Sequence, residues 1–205
     1  MKKLILTSNG FENPKIIPEF LKIVGKPASK IKILFIPVAS RTKEELHYVD
    51  ESKEELLKLG IKNENIIYYN LKGVIGNNNL NNFDVVYVCG GNTFYLSYKL
   101  KESGFDEKLK KLIQKGVVYV GVSAGTVLAG PNIEIAGADK SWDENDVNLK
   151  NFEGLNLTSK IISPHYTSKE EKIILKFEKE KNVRVLRLKD NQALIIFGDK
   201  EKLVG

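Results

Sequence analysis

Short apolar runs rich in β-branched residues recur along the whole chain, and polar stretches with apolar residues at helical spacing separate them. The apolar runs cover residues 4–6, 33–38, 66–69, 85–88, 117–122, 161–162, 183–188 and 193–197. The helical stretches cover residues 16–24, 45–59, 94–100, 105–113 and 169–181. Continuous apolar runs are typical of strands buried on both faces, and their alternation with helices indicates a parallel sheet. We predict an α/β fold, a three-layer sandwich whose mostly parallel sheet carries helices on both faces.

The chain of 205 residues has the size and apolar content of one domain. Its hydrophobic fraction is 42%, and at this length roughly 70% of the unfolded surface can be buried. No linker rich in Pro, Gly or Ser divides it and no repeat is visible. We therefore expect a single domain over residues 1–205, with the asparagine-rich stretch 77–82 as a surface loop.

Two helix starts carry a capping-box pattern. Residues 42–45 and 168–171 both place Ser or Thr three residues before Glu and ahead of an apolar periodic stretch. In this pattern the hydroxyl and the carboxylate each accept a hydrogen bond from a free backbone N–H. We predict that Thr42 and Ser168 cap the two helices.

Charge and cysteine content favour a cytoplasmic protein that binds neither nucleic acid nor membrane. The net charge is +6, but lysines alternate with acids, as in residues 53–55 and 178–181, which is typical of a solvated surface. Cys89 is the single cysteine, so no internal disulfide can form, and we expect it to pack as a small apolar residue. The apolar run after Met1 is too short for a signal peptide or a membrane span.

The strongest functional signal is the segment Gly121-Val122-Ser123-Ala124-Gly125, which follows a buried run. A serine at a tight strand-to-helix turn presents its hydroxyl above the carboxyl edge of the sheet, and the N–H of Ala124 would point at the same place. We interpret Ser123 as a nucleophile and Ala124 as an oxyanion donor. An inert serine in a tight turn is the alternative.

A second glycine turn, residues 90–93, also follows a buried strand. The carboxyl ends of parallel strands share one crevice, so the N–H of Gly91 could face Ser123 as another oxyanion donor. The alternative is a helix start capped by Asn92.

The chain has two histidines, and one of them would have to act as the base for a serine nucleophile. His165 lies just past a short strand, where α/β proteins present functional groups, whereas His47 lies in a polar helix at the expected surface. A loop histidine bonded to the backbone is the alternative for His165.

The group that orients the base should be a carboxylate. Asp190 follows the run 183–188, and Asp139 lies beyond the nucleophile turn. Spacing does not choose between them, and either could be a turn residue only.

Taken together, these segments resemble the dipeptidase E (aspartyl dipeptidase) family of serine peptidases, relatives of the cyanophycinases. The resemblance covers nearly the whole chain, through residues 35–37, 90–94, 121–125, 164–167 and 188–190. It implies a glutamine amidotransferase-like, flavodoxin-like fold. By position, Ser123 matches the nucleophile and His165 the base, while Gly91 and Ala124 match the oxyanion turns.

The acid and the substrate-binding residues depart from the family pattern. Family members often carry glutamate where Asp190 stands, and an aspartate near Asp139; we choose Asp190 as the acid. We assign Asn92 and Lys169 to substrate binding. Lys169 stands near a family arginine suited to a substrate carboxylate, but lysine lacks the bidentate fork of arginine.

The sequence thus predicts a serine peptidase that hydrolyses dipeptides or short peptides without metal or cofactor. A binding or regulatory domain that has kept the fold and lost catalysis is the alternative. Whether the protein forms a homodimer is left open.

Overall fold

The computed structural model describes residues 1–73 and 80–205. Residues 77–79 of the expected asparagine-rich loop lie outside the described residues. Asn81 and Asn82, at the end of that stretch, lie in an exposed turn, whereas Leu80 is buried.

The core of the molecule is a seven-stranded sheet with the strand order β3-β2-β4-β5-β1-β8-β9. Its strands are β1 (Lys3–Thr7), β2 (Ile33–Ile36), β3 (Ile66–Tyr68), β4 (Val85–Val88), β5 (Val118–Val122), β8 (Ala193–Phe197) and β9 (Lys200–Val204). The five strands from β3 to β1 are parallel, whereas β8 and β9 are antiparallel to their neighbours. The prediction of a mostly parallel sheet is confirmed.

Two of the predicted runs do not join this sheet. The runs 161–162 and 183–188 form a separate parallel pair, β6 (Ile161–Ser163) and β7 (Val185–Arg187). Conversely, the sequence analysis did not predict β9. Four of its five residues are exposed at the sheet edge, so it needs no apolar run to be stable there.

Helices cover both faces of the sheet, as predicted. In the described part of the chain they are α1 (Ile16–Val24), α2 (Lys43–Lys58), α3 (Thr93–Glu102), α4 (Phe105–Gln114), α5 (Ala124–Leu128) and α6 (Glu171–Lys181). Successive strand residues point to opposite faces, so Ile33 and Phe35 pack with α1 and α2, while Leu34 and Ile36 pack with the other four helices. The result is a three-layer sandwich with two apolar layers.

One of the two predicted capping boxes forms. The Thr42 hydroxyl accepts from the backbone N–H of Glu45, and the Glu45 carboxylate accepts from that of Thr42. The prediction for Ser168 is wrong. The carboxylate of Glu170 accepts hydrogen bonds from the backbone N–H and the hydroxyl of Thr167, so a turn precedes the helix, which begins only at Glu171.

Cys89 packs in the apolar layer beneath α1 and α2, as expected for a small apolar residue. Burial raises the pKa of its thiol well above the ordinary value. Among the helices of residues 1–73 and 80–205, none has the length and apolar content needed to cross a bilayer.

Candidate active site

Ser123 occupies a strained turn between β5 and α5. Its φ of 49° and ψ of −109° lie in a backbone region that residues other than glycine rarely adopt, as in a nucleophile elbow. The turn is also tightly packed: a Cβ on Gly121 would lie 2.6 Å from the carbonyl oxygen of Gly125, and one on Gly125 would lie 2.5 Å from that of Val88. Both glycines are therefore required by the close approach of the backbone.

Buried hydrogen bonds hold this turn against the central strands. The backbone N–H of Ser123 donates to the carbonyl of Thr7 in β1, 3.1 Å away. The hydroxyl of Thr126 lies 2.7 Å from the carbonyl oxygens of both Thr7 and Gly121. The phenol of Tyr119 donates to the carbonyl of Gly125. The position of the Ser123 hydroxyl is thus set by the sheet.

The structure brings Ser123, His165 and Asp190 into one hydrogen-bonded chain. Nε2 of His165 lies 2.8 Å from Oγ of Ser123, and Nδ1 lies 2.6 Å from Oδ1 of Asp190. His165 follows β6, and Asp190 lies between β7 and β8. An imidazole protonated on Nδ1 donates to Asp190 and can accept the serine proton on Nε2.

Sequence reasoning missed Ser8, which joins the histidine and the acid. Ser8 directly follows β1 and is fully buried. Its hydroxyl accepts from the backbone N–H of His165 at 2.7 Å and donates to Oδ1 of Asp190 at 3.0 Å. The available signal was its place at the carboxyl end of a buried strand, the criterion that we applied to Ser123.

Asp139, the competing carboxylate, lies away from the imidazole contact. It is half-buried, and its Oδ1 accepts from the backbone N–H and the hydroxyl of Ser141 within its own loop. These hydrogen bonds lower its pKa. Of the two candidate carboxylates, Asp190 is the one in contact with His165. His47 is exposed and pairs with Glu51 on the surface of α2.

Gly91 and Ala124, the predicted oxyanion donors, each line a cavity that Ser123 also lines. Gly91 has a φ of 121°, and a Cβ there would lie 2.4 Å from the carbonyl group of Ala39, so only glycine fits. Ala124 is the first residue of α5. Within the described part of the chain, neither N–H donates a hydrogen bond to the protein, so both can serve an oxyanion.

The two residues assigned to substrate binding, Asn92 and Lys169, lie outside the hydrogen-bonded chain of Ser123, His165 and Asp190. Asn92 is buried; its side chain caps α3 by accepting from the N–H of Tyr95 and donates to the carbonyl of Glu144. This geometry matches the capping alternative. Lys169 is exposed in the turn before α6 and contributes to neither of the two cavities at Ser123.

Two cavities open at Ser123. The first, here called the inner cavity, measures about 260 Å³ and extends from Ser123 and Ala124 to Ile135 and Trp142. The second, the outer cleft, measures about 760 Å³ and is lined by the following polar and glycine residues among others: Asn9, Glu12, Glu45, Glu51, Glu54, Glu55, Gly90, Gly91 and Asp190. Asp143 and His165 line both. A peptide bound at Ser123 can therefore place groups in both cavities.

The described residues include no cluster of three or more His, Cys, Asp or Glu side chains suited to hold a metal ion.

Comparisons with known proteins show the family of this chain. The family model of peptidase family S51 matches residues 4–204. An uncharacterized peptidase of Listeria monocytogenes is 37% identical over 169 residues, which are 82% of this chain and 80% of the relative. Peptidase E of a Nostoc species is 31% identical over 173 residues, 82% of this chain and 66% of the relative.

A solved structure extends the match to three dimensions. The 1.5 Å crystal structure of a candidate peptidase E from Listeria monocytogenes EGD-e superposes with a TM-score of 0.81 at 30% identity. The match covers all of this chain and 98% of the other. The chain therefore belongs to peptidase family S51 and is a serine-type peptidase related to peptidase E.

Proposed function

We propose that the protein hydrolyses dipeptides or short peptides with Ser123 as nucleophile, His165 as general base and Asp190 as the acid that orients it. The observation that carries the proposal is the unbroken chain of contacts at 2.8 Å and 2.6 Å from the serine oxygen to the carboxylate. Such a chain is what a weak hydroxyl nucleophile needs for activation.

The proposed reaction has two halves. His165 takes the proton of Ser123 as Oγ bonds to the peptide carbonyl carbon, and the carbonyl oxygen becomes an anion held by the N–H groups of Gly91 and Ala124. His165 then protonates the departing amine, and the C–N bond breaks to leave an acyl-serine. Water, deprotonated by His165, releases the acid and restores the hydroxyl. Each oxyanion donor is expected to supply roughly 3 kcal/mol of transition-state stabilisation.

Short substrates are supported by the size of the inner cavity. Its volume of about 260 Å³ is below the roughly 300–1,000 Å³ of sites for drug-sized ligands, so it suits a group the size of one amino acid. Relatives of this chain carry the name peptidase E. A dipeptide presents two residues at the attacked bond, and two cavities meet at Ser123.

The decisive experiment compares wild type with Ser123→Ala on a panel of dipeptides. We expect kcat to fall by about 10⁴-fold or more, since the nucleophile is removed, while the circular dichroism spectrum is unchanged. Ser168→Ala, which alters an exposed serine, is the matched control and should keep full activity. Undiminished turnover by Ser123→Ala would refute the proposal.

A fluorophosphonate probe separates this enzyme from a domain that has the fold without the catalysis. An activated serine reacts with the probe, and an unactivated serine does not. We expect labelling of wild type and none of Ser123→Ala or His165→Ala. Absence of labelling in the wild type would favour the binding or regulatory domain.

A further inference from the structure

The inner cavity contains a carboxylate that the proposed mechanism does not use. Apolar side chains, including Val127, Ile135 and Trp142, form much of its wall, and Ser123 forms its reactive end. Asp143 lies in the same wall. Because an ionised carboxylate is costly among apolar groups, its presence beside the nucleophile calls for a partner.

The backbone and one side-chain oxygen of Asp143 are fixed by the fold. Its N–H donates to the carbonyl of Ala136, 3.0 Å away. Its Oδ2 accepts from the N–H of Thr93 at 2.7 Å, at the start of α3. Oδ1 has no hydrogen-bond donor among the described residues, and no lysine or arginine there forms an ion pair with Asp143. One carboxylate oxygen is thus available to a ligand.

Glu170, the other carboxylate of the inner cavity, differs from Asp143. Hydrogen bonds from Thr167 occupy its Oε2 and lower its pKa. Burial raises the pKa of Asp143, although the hydrogen bonds from Thr93 and the nearby His165 oppose the shift. Asp143 is therefore the carboxylate that keeps an oxygen available to a ligand, and a cation bound beside it would offset the cost of its burial.

The chemistry of a dipeptide identifies the cation. A dipeptide carries a protonated amine on the residue whose carbonyl is attacked and a carboxylate on the residue that leaves. Asp143 repels the carboxylate and attracts the amine, and neither lysine nor arginine lines the inner cavity to attract an anion. The amine is two bonds from the attacked carbonyl carbon, so it must lie near Ser123, as the cavity does.

We propose that Asp143 is a specificity-determining residue that binds the protonated amine of the substrate residue on the acyl side of the scissile bond. The inference rests on the proposed function and adds the substrate class. Peptides with a free amine in that residue are favoured. The amine can belong to the N-terminus or to a basic side chain, and the experiment separates these sources.

Turnover tests the proposal with matched dipeptides and the isosteric variant Asp143→Asn. Asparagine can still accept from Thr93 through its amide oxygen, so the fold is preserved while the charge is removed. For the N-terminal amine, we compare Ala-Ala with N-acetyl-Ala-Ala; for a side-chain amine, Lys-Ala with norleucyl-Ala. We expect wild type to prefer the amine in at least one pair by about 10- to 100-fold in kcat/KM, and Asp143→Asn to lose most of that preference.

Glu144→Gln is the matched control for this variant. Glu144 is the exposed neighbour of Asp143 and does not line the inner cavity. The control should retain the wild-type preference. Equal preferences in wild type and Asp143→Asn for both substrate pairs would overturn the proposal.

A binding measurement keeps the proposal testable even if hydrolysis is absent. Calorimetric titration of Ser123→Ala with Ala-Ala, N-acetyl-Ala-Ala, Lys-Ala and norleucyl-Ala gives affinities without turnover. We expect the amine of the preferred pair to tighten binding about 10-fold or more, and Ser123→Ala/Asp143→Asn to lose that gain. If wild type cleaves none of the dipeptides but this gain is seen, the proposed function fails and the amine site stands. If no peptide binds, or the gain is the same in both variants, the amine site fails.

Discussion

The backbone at Ser123 and at His165 is in the left-handed half of φ space, with φ of 49° and 57°. Such conformations cost of order 1–3 kcal/mol each and persist only where surrounding structure enforces them. For Ser123 the carbonyl of Thr7 accepts its N–H, and for His165 the hydroxyl of Ser8 does so. Two consecutive residues, Thr7 at the end of β1 and Ser8 just after it, therefore hold the backbone of Ser123 and His165.

Removal of the Ser8 hydroxyl tests this arrangement. In Ser8→Ala the N–H of His165 loses its acceptor and Asp190 loses a donor, so the imidazole is less well oriented. We expect kcat to fall about 10- to 100-fold with KM changed by less than about 2-fold, since a hydrogen bond to a charged group is involved. Steady-state kinetics and the pH profile of kcat measure the effect.

Ser97→Ala is the matched control for Ser8→Ala. Ser97 is equally buried, and its hydroxyl has no hydrogen-bond partner within the described residues. Its removal should leave kcat unchanged. If Ser8→Ala is as active as Ser97→Ala, Ser8 has no positioning role.

At the scale of helices and strands, the periodicity of apolar residues predicted most elements. It failed where contacts outside the local sequence determine the structure. The buried strands were predictable because their apolar runs are continuous. β9 was not, because its exposed residues carry the charges of Lys200, Glu201 and Lys202 at a solvated edge. The capping pattern at Ser168 was a local signal that a competing local interaction, Thr167 with Glu170, overrides.

The two capping patterns predict effects of different size on the free energy of unfolding. Thr42→Ala removes the acceptor for the N–H of Glu45 and should lower the free energy of unfolding by about 1 kcal/mol. Ser168→Ala removes a hydroxyl that makes no hydrogen bond among the described residues and should change it by less than about 0.5 kcal/mol. Urea denaturation of both variants measures the difference. Equal losses in the two variants would contradict the assignment of the helix starts.

At the scale of the whole molecule, charge is unevenly distributed. The chain has a net charge of +6, yet the outer cleft is lined by seven carboxylates and one lysine: Glu12, Glu45, Glu51, Glu54, Glu55, Asp143, Asp190 and Lys58. Burial raises the pKa of Glu55, and its neighbours Glu12 and Glu51 add to the shift. The overall charge computed from the sequence therefore says little about the potential at the site.

The free energy of unfolding should depend on pH because of these clustered carboxylates. Because the pKa of Glu55 is higher in the folded protein than its ordinary value of 4.5, its contribution to stability is full below about pH 4.5 and is lost as pH rises through the folded pKa. Glu55→Gln keeps an acceptor for the N–H of Phe11, 2.9 Å away in wild type, without the charge. We expect its melting temperature to exceed that of wild type at pH 7 and to equal it at pH 4.

Glu54→Gln provides the comparison for Glu55→Gln. Glu54 is the exposed neighbour on α2, so its variant should show no such gap between the two pH values. If the melting temperatures of Glu55→Gln and wild type differ by the same amount at pH 4 and at pH 7, folding does not raise the pKa of Glu55.

Topology explains which parts of the site the sequence could indicate. Ser123 and His165 were identifiable because Ser123 directly follows an apolar run and His165 lies just past a short strand. The choice between Asp190 and Asp139 needed the path of the chain between strands, which no local pattern contains. Ser8 was missed because its importance depends on β1 lying between β5 and β8.

The antiparallel pairing of β8 with β1 has a consequence for biosynthesis. Ser123 emerges from the ribosome well before His165 and Asp190, and the turn that carries Asp190 is anchored only when β8 adds to β1. A nascent chain that already displays the serine thus lacks the proposed base and acid. Until translation has passed β8, the growing polypeptide should be unable to cleave peptides around it.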